Sequence, residues 1–380
     1  MKKTSYIFIF FFVSRLFLMV DIYAQMKKSI VSPEIHKDCT VTFRFNAPNA
    51  LKVELNAQFL QENLSMIKDE DGIWSVTTLP ITPDLYPYSF LVDGVSIADP
   101  NNVLIFPNER FKHSLVDISN KNQSIYSVKD VPHGRISYRF YKSKLLNDTR
   151  PLVVYTPPEY NLQDNIKYPV LYLLHGATDT HETWFKVGRV NFILDNLIEQ
   201  KKANPMIIVM PYANPQMTFS GKRNIKETNS IDYTTELVEE IIPYIEKNYK
   251  VKTGSFNRAI AGFSRGGHQA LHTGFSRPDL FSHICVFAPA VSQERINDNF
   301  KKGIYSPPDI LKSQLKFFWL GCGKEDFLYN RTLELAKKLE ELEIPYTYKY
   351  TSGGHTWMNC RLYLNEIAQK IFNNKNLDYD

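Results

Sequence analysis

The sequence is poor in the features that mark several large protein classes. Only four of its 380 residues are cysteine, Cys39, Cys285, Cys322 and Cys360. None forms a CxxC pair, so neither a zinc ribbon nor a disulfide-stapled scaffold is indicated, and spacing leaves any pairing of the four open. No run of five basic residues occurs, and 45 basic against 40 acidic residues leave a net charge of only +5. That is no footprint for nucleic acid. Spanning a bilayer takes about 20 apolar residues. The charge-free stretch Thr4–Ser14 stops after 11, at Arg15, so stable membrane insertion is not expected. Internal repeats and low-complexity segments are missing, and nothing calls for a metal or a cofactor. What is present is a composition 43% hydrophobic and 13% aromatic, enough to bury a large core and to exclude whole-chain disorder. At roughly 150 residues per domain, 380 residues suggest two bodies.

The first 24 residues read as an address. Lys2 and Lys3 precede the apolar stretch Tyr6–Val13, and the small Ala24 follows just before Gln25. This is the pattern of a secretory signal peptide over 1–24, which makes the mature protein exported, periplasmic or secreted. From 27 to 119 the chain alternates with period two. Val41, Phe43 and Phe45 share a face, Val53 pairs with Leu55 and Trp74 with Val76, and Tyr86, Tyr88, Phe90 and Val92 repeat the pattern. Asp69-Glu-Asp-Gly72 and Asp93-Gly94 supply turns. Short strands without intervening helices predict a small all-β, immunoglobulin-like sandwich, in which Trp74, in phase with Val76, faces inward. Residues 120–134 read as a linker.

From 135 to 380 the pattern changes. Short apolar runs at 152–155, 170–174, 206–210, 259–261, 284–287 and 317–320 suit strands buried on both faces. Amphipathic stretches such as 234–248 separate them. Strand and helix in alternation predict an α/β fold with helices on both faces of one sheet.

Gly262-Phe-Ser-Arg-Gly266 lies between an apolar strand and a helix expected over 267–275. In that context G-x-S-x-G builds a sharp turn that lifts the hydroxyl of Ser264 to the tip of the sheet of an α/β-hydrolase domain. A serine hydroxyl needs a base, and the chain order in this architecture is Ser, acid, His. His355, in Gly353-Gly-His-Thr-Trp357, is the candidate. His268 and His272 sit on the helix after the nucleophile and read as packing or surface residues, while His175 precedes it. The acid belongs after the next strand, in Gly323-Lys-Glu-Asp326. Asp326 is favoured with Glu325 as its competitor, and Asp298 and Asp309 read as solvated. The amides of Arg265 and of Ala177, in the loop His175-Gly-Ala-Thr178, are the candidate oxyanion donors. Trp184 and Trp357 are candidate substrate-binding rings, against a purely supporting role in the two loops. The polar segment 212–230 is a candidate rim.

Together, His175-Gly-Ala177, Trp184, Gly262–Gly267, Gly323–Asp326 and Gly354–Trp357 resemble carbohydrate esterase family 1. That family includes feruloyl and acetylxylan esterases and is related to the enterochelin esterases. Asp71–Trp74, Tyr86–Phe90, Asp93-Gly94 and Asp99-Pro100 resemble the family 48 carbohydrate-binding module. The resemblance implies a serine esterase with a Ser-His-Asp triad and an acyl-enzyme. Its expected substrate is an acylated polysaccharide or oligosaccharide such as xylan, feruloyl ahead of acetyl. A siderophore esterase, a serine peptidase and a non-catalytic glycan-binding protein are the alternatives. Cys360 stands where comparable members often carry a second Trp. Oligomeric state is not legible.

Overall fold

The first strand of the amino-terminal unit that carries an inward stripe is Val41–Asn46, with Val41 and Phe43 fully buried. The computed structural model describes residues 29–118, 124–215 and 233–373, so the predicted signal peptide lies outside the described residues. The chain divides into two units. Of the described residues, one holds those up to Thr82 together with Tyr88–Leu104, and the other Pro83–Pro87 and those from Ile105 onward.

In the first unit two antiparallel sheets form. Val41–Asn46 pairs with Ile73–Thr77, and Val53–Ala57 pairs with Leu85–Val92. Rings from the two sheets meet, Phe43 on Tyr88 at 4.7 Å and Phe45 on Phe90 at 4.9 Å. The expected turns are present: Asp93 and Gly94 both take positive φ, and the Asp93 carboxylate accepts from the amides of Leu51 and Lys52. Trp74 is buried at 8% exposure and its indole N–H donates to Ala47 O at 2.9 Å. It supports the fold and offers no glycan platform.

The second unit is built on an eight-stranded sheet. From one edge the order is Arg135–Ser143, Asp148–Thr156, Ile207–Pro211, Val170–Leu174, Arg258–Phe263, His283–Phe287, Phe317–Gly323 and Thr347–Thr351. The first two strands pair antiparallel, as do Asp148–Thr156 and Ile207–Pro211, and the remaining pairs are parallel. Leu152–Tyr155 is not one of the parallel strands. It is buried on both faces like one, but its short connection to the preceding strand makes a hairpin. Side chains alternate between two cores. Val154, Tyr172, Ile260 and Val286 point to one, and Val153, Leu171, Ala261 and Cys285 to the other. The helix Arg265–Ser276 begins two residues earlier than expected, and the helix Trp357–Lys370 follows the candidate base. All four cysteines are free thiols. Among the described residues no helix is long and apolar enough to cross a membrane.

From Ser124 onward the expected linker is a docked strap. Asn196 Nδ2 donates to the carbonyls of Ile125 and Ser127. The amide of Gly134 donates to Asp195 Oδ1, and His133 bonds Asp195 Oδ2 at 2.9 Å. Residues 105–118, read as the end of the sandwich, group with the esterase-like unit. Tyr126 is buried, and such anchoring is invisible in a polar stretch of sequence.

Candidate active site

Ser264 caps the helix Arg265–Ser276 at the end of the strand Arg258–Phe263, with φ 57° and ψ −115°. A non-glycine residue there is strained, and such strain persists only where neighbours over-determine it. They do here. The Ser264 amide donates to Phe287 O at 2.8 Å and its carbonyl accepts from Ala290 N at 3.0 Å. The flanking glycines are dictated by close approach: a Cβ on Gly262 would stand 2.2 Å from Gly266 O, and one on Gly266 2.5 Å from His175 O. Ser264 therefore sits at a helix N-terminus, where backbone N–H groups favour negative charge.

His355 is brought up by the loop between Thr347–Thr351 and Trp357–Lys370. Its Nδ1 lies 2.7 Å from Asp326 Oδ2, and the other carboxylate oxygen accepts from Leu328 N at 2.8 Å. An ionised carboxylate only accepts, so this bond places the proton on Nδ1 and leaves Nε2 as the basic nitrogen. Asp326 is buried and Glu325 exposed, which separates the two candidate acids. The His355 ring packs between Phe263 at 4.3 Å and Phe327 at 4.5 Å. Leu328 is buried, whereas Phe327 is 75% exposed.

The loop after Val170–Leu174 runs beside the nucleophile: a Cβ on Gly176 would lie 3.7 Å from Ser264 Cβ and 3.0 Å from Asp179 Oδ2. Ala177, the candidate oxyanion donor, is exposed there, and Arg265, whose amide is the second, opens the helix. His175 holds the loop from below. Its Nδ1–H donates to Gly176 O at 2.8 Å and its Nε2 accepts from Ala213 N at 3.0 Å. Burial, and then the nearby Arg265, lower its pKa to about 3. Burial pushes Asp179 the other way, up to about 7.

Trp184 and Trp357 require a correction. Trp184 is 1% exposed, its N–H donates to Leu174 O at 3.0 Å, and its ring meets Trp357 edge-on at 4.8 Å. Trp357 is 7% exposed. Neither offers a face to substrate; the pair braces the loops that carry Gly176 and His355. Cys360 is fully buried, so that position does not line a cleft in this chain. His268 and His272 turn their rings toward one another, and His272 also toward Tyr305. Of the candidate rim 212–230, residues 216–230 lie outside the described residues. Sequence reasoning missed Asn108, Glu109 and Asp179, which carry no motif, and the apolar character of Phe327 suggests burial rather than its exposed place on His355.

Residues 143–341 match the family described as "Putative esterase". The chain belongs to this esterase family. An endo-1,4-beta-xylanase/feruloyl esterase of Xylanibacter ruminicola is 29% identical over 353 residues, 90% of this chain and 46% of that protein. An acetyl esterase of Caldicellulosiruptor saccharolyticus is 22% identical over 57% of this chain and 90% of its own length. The chain spans less than half of several curated relatives, down to 23% of an endo-1,4-beta-xylanase Y from Acetivibrio thermocellus. Among solved structures, a ferulic acid esterase of Anaeromyces mucronatus, in complex with ferulic acid, superposes with a TM-score of 0.56 at 25% identity. The match covers 68% of this chain and 98% of that one. An enterobactin esterase of Shigella flexneri superposes with a TM-score of 0.66 over 88% of this esterase-family chain and 94% of its own, at 17% identity. That last likeness shows the fold alone.

Proposed function

We propose that the protein is an exported serine carboxylester hydrolase that removes acyl groups, feruloyl ahead of acetyl, from plant cell-wall polysaccharide such as xylan. The single observation that carries the reading is the Asp326–His355 bond of 2.7 Å, with the His355 ring packed at 4.3 Å on Phe263, the residue before a serine held in a strained strand-to-helix turn. Ser264 Oγ attacks the ester carbonyl while His355 Nε2 takes its proton. Asp326 holds the tautomer and stabilises the imidazolium. The amides of Ala177 and Arg265 receive the oxyanion, a donor of this kind being worth about 3 kcal/mol of barrier. His355 then protonates the departing sugar oxygen, which leaves as a hydroxyl, and water, deprotonated by the same nitrogen, releases the acid from the acyl-enzyme.

For the acyl group, the support is the feruloyl esterase named among the relatives and the exposed ring of Phe327 on the face of His355, where an aromatic acid or a sugar face can stack. For the amino-terminal unit, two facing antiparallel sheets support an immunoglobulin-like sandwich of the carbohydrate-binding type. Its sugar-binding surface is not Trp74. Export rests on the sequence of residues 1–24.

Hydrolysis of p-nitrophenyl acetate by the mature protein, abolished by Ser264→Ala, tests the esterase reading. Comparing kcat/KM on methyl ferulate with acetate release from acetylxylan tests the acyl group. A hundredfold preference for acetylxylan sinks the feruloyl assignment and leaves the esterase intact.

A further inference from the structure

We infer that Asn108 and Glu109 act as a clamp that holds the oxyanion loop 176–179 in its working shape, which makes Asn108 a positioning residue of the esterase site although it precedes the hydrolase core by sequence. The inference rests on the reading of Ser264 as nucleophile and Ala177 as oxyanion donor.

Three observations carry it. First, the loop is strained where it matters. Thr178, directly after Ala177, has φ 66°, a conformation that a β-branched side chain avoids. Left alone, such a residue relaxes, and the amide before it turns with it. Second, the bonds that oppose relaxation come from one short segment. Asn108 Nδ2 donates to Thr178 Oγ1 at 3.0 Å and to Asp179 Oδ1 at 3.3 Å. The amide of Glu109 donates to Thr178 O at 2.7 Å. Pro107 O accepts from Thr183 Oγ1 at 3.0 Å, just beyond the loop. Third, the clamp is itself fixed. Asn108 is 3% exposed, and its Oδ1 accepts from Arg110 N at 2.9 Å, closing its own turn. The Glu109 carboxylate accepts from Tyr212 Oη at 2.7 Å and Asn214 Nδ2 at 2.8 Å. That ties the oxyanion loop to the chain around Ala213, which His175 grips from the other side.

The geometry separates two jobs of one side chain. Oδ1 shapes the local turn, and Nδ2 holds the loop. Asn108→Asp keeps the first and removes the donor of the second, leaving only an acceptor for the Thr178 hydroxyl; Asn108→Ala deletes both. Rigid donors stabilise the tetrahedral oxyanion more than the planar ester, so loss of the clamp acts on turnover rather than on substrate binding.

The test measures kcat and KM for p-nitrophenyl acetate, with active sites counted by fluorophosphonate titration, for the full chain, Asn108→Ala, Asn108→Asp and the milder Asn108→Ser. It adds the affinity for phenylboronic acid. Boron accepts a lone pair from Ser264 Oγ, whose proton passes to His355, and the adduct is a tetrahedral anion that needs the oxyanion donors. Expected for Asn108→Ala and Asn108→Asp is a fall in kcat of about tenfold or more per titrated site, with KM within about twofold and weaker boronate binding by a factor like that in kcat. Unchanged kcat and boronate affinity per titrated site overturn the clamp while leaving a Ser264-dependent esterase in place. Hydrolysis that survives Ser264→Ala overturns the nucleophile assignment, and the clamp with it.

Discussion

At Ser264, Asp326 and His355 the sequence is most explicit, because each residue needs a special backbone that glycine announces. Gly262 and Gly266 flank the proposed nucleophile since any Cβ there would collide with backbone carbonyls. Gly353, with φ 85°, opens the loop that carries the base. Choosing between Glu325 and Asp326 needs burial, which spacing does not encode: the first is exposed, the second 6% exposed and bonded to His355. Asp326→Asn is therefore expected to lower kcat by about 10⁴, because the asparagine amide disfavours the tautomer and leaves the imidazolium unpaired. Glu325→Gln is expected to stay within about twofold. Steady-state kinetics on p-nitrophenyl acetate decide it, and the reverse ranking would move the acid by one residue. Phe327 marks the limit of legibility at this scale. Its hydrophobicity predicts burial, yet it lies open on His355. Phe327→Ala is expected to raise KM for methyl ferulate several-fold more than for ethyl acetate, which lacks the aromatic acid; an equal change for both refutes the stacking role.

At the scale of elements, the strands were legible because burial on both faces leaves uninterrupted apolar runs, as in Val170–Leu174. Their direction was not: a hairpin edge and a parallel core strand bury alike. The tryptophans show the same limit. Position near a catalytic loop suggested substrate contact, whereas Trp184 and Trp357 form an internal brace between the loop after Val170–Leu174 and the helix Trp357–Lys370. Replacing Trp184 by alanine empties a site 1% exposed and strands the Leu174 carbonyl bonded at 3.0 Å. A loss of about 3–5 kcal/mol in unfolding free energy is expected, read as a lower urea midpoint. The folded remainder should keep the wild-type KM for methyl ferulate. A raised KM with unchanged stability would return Trp184 to the substrate.

At the scale of the whole molecule two consequences follow from buried groups that no motif reveals. Burial lowers the pKa of His175 to about 3 and of His181 and His283 to about 4. In the unfolded chain these rings take up protons near pH 6.5, so below that pH the unfolded state binds more protons and stability falls. Asp179, raised to about 7, and Glu236, also raised by burial, work in the opposite sense. The buried histidines outnumber these two acids, so stability is expected to fall on acidification from about pH 6.5 towards 4.5. A Tm that rises on acidification through this window would contradict it. The second consequence concerns where the chain can be cut. A boundary near residue 125, natural from the change in pattern, removes Pro83–Pro87 and 105–118, which belong to the catalytic unit. Arg361, 1% exposed, donates to Asp84 and to Leu85 O as well as to Val187 O, and lies over the ring of Tyr126. Stripping a buried guanidinium of its carboxylate costs about 3–5 kcal/mol, a large share of the roughly 5–15 kcal/mol that a domain has. The same cut takes Asn108 and Glu109 away from Thr178. A 125–380 fragment is thus expected to be poorly soluble and, where folded, slow in turnover with little change in KM for small esters. Asp84→Asn in the full chain isolates the first effect. It should lower the urea midpoint and leave kcat per folded molecule unchanged, since Asp84 touches no group of the site. A soluble 125–380 fragment with wild-type melting and turnover, lacking only affinity for polysaccharide, would show that the boundary read from the pattern is the functional one.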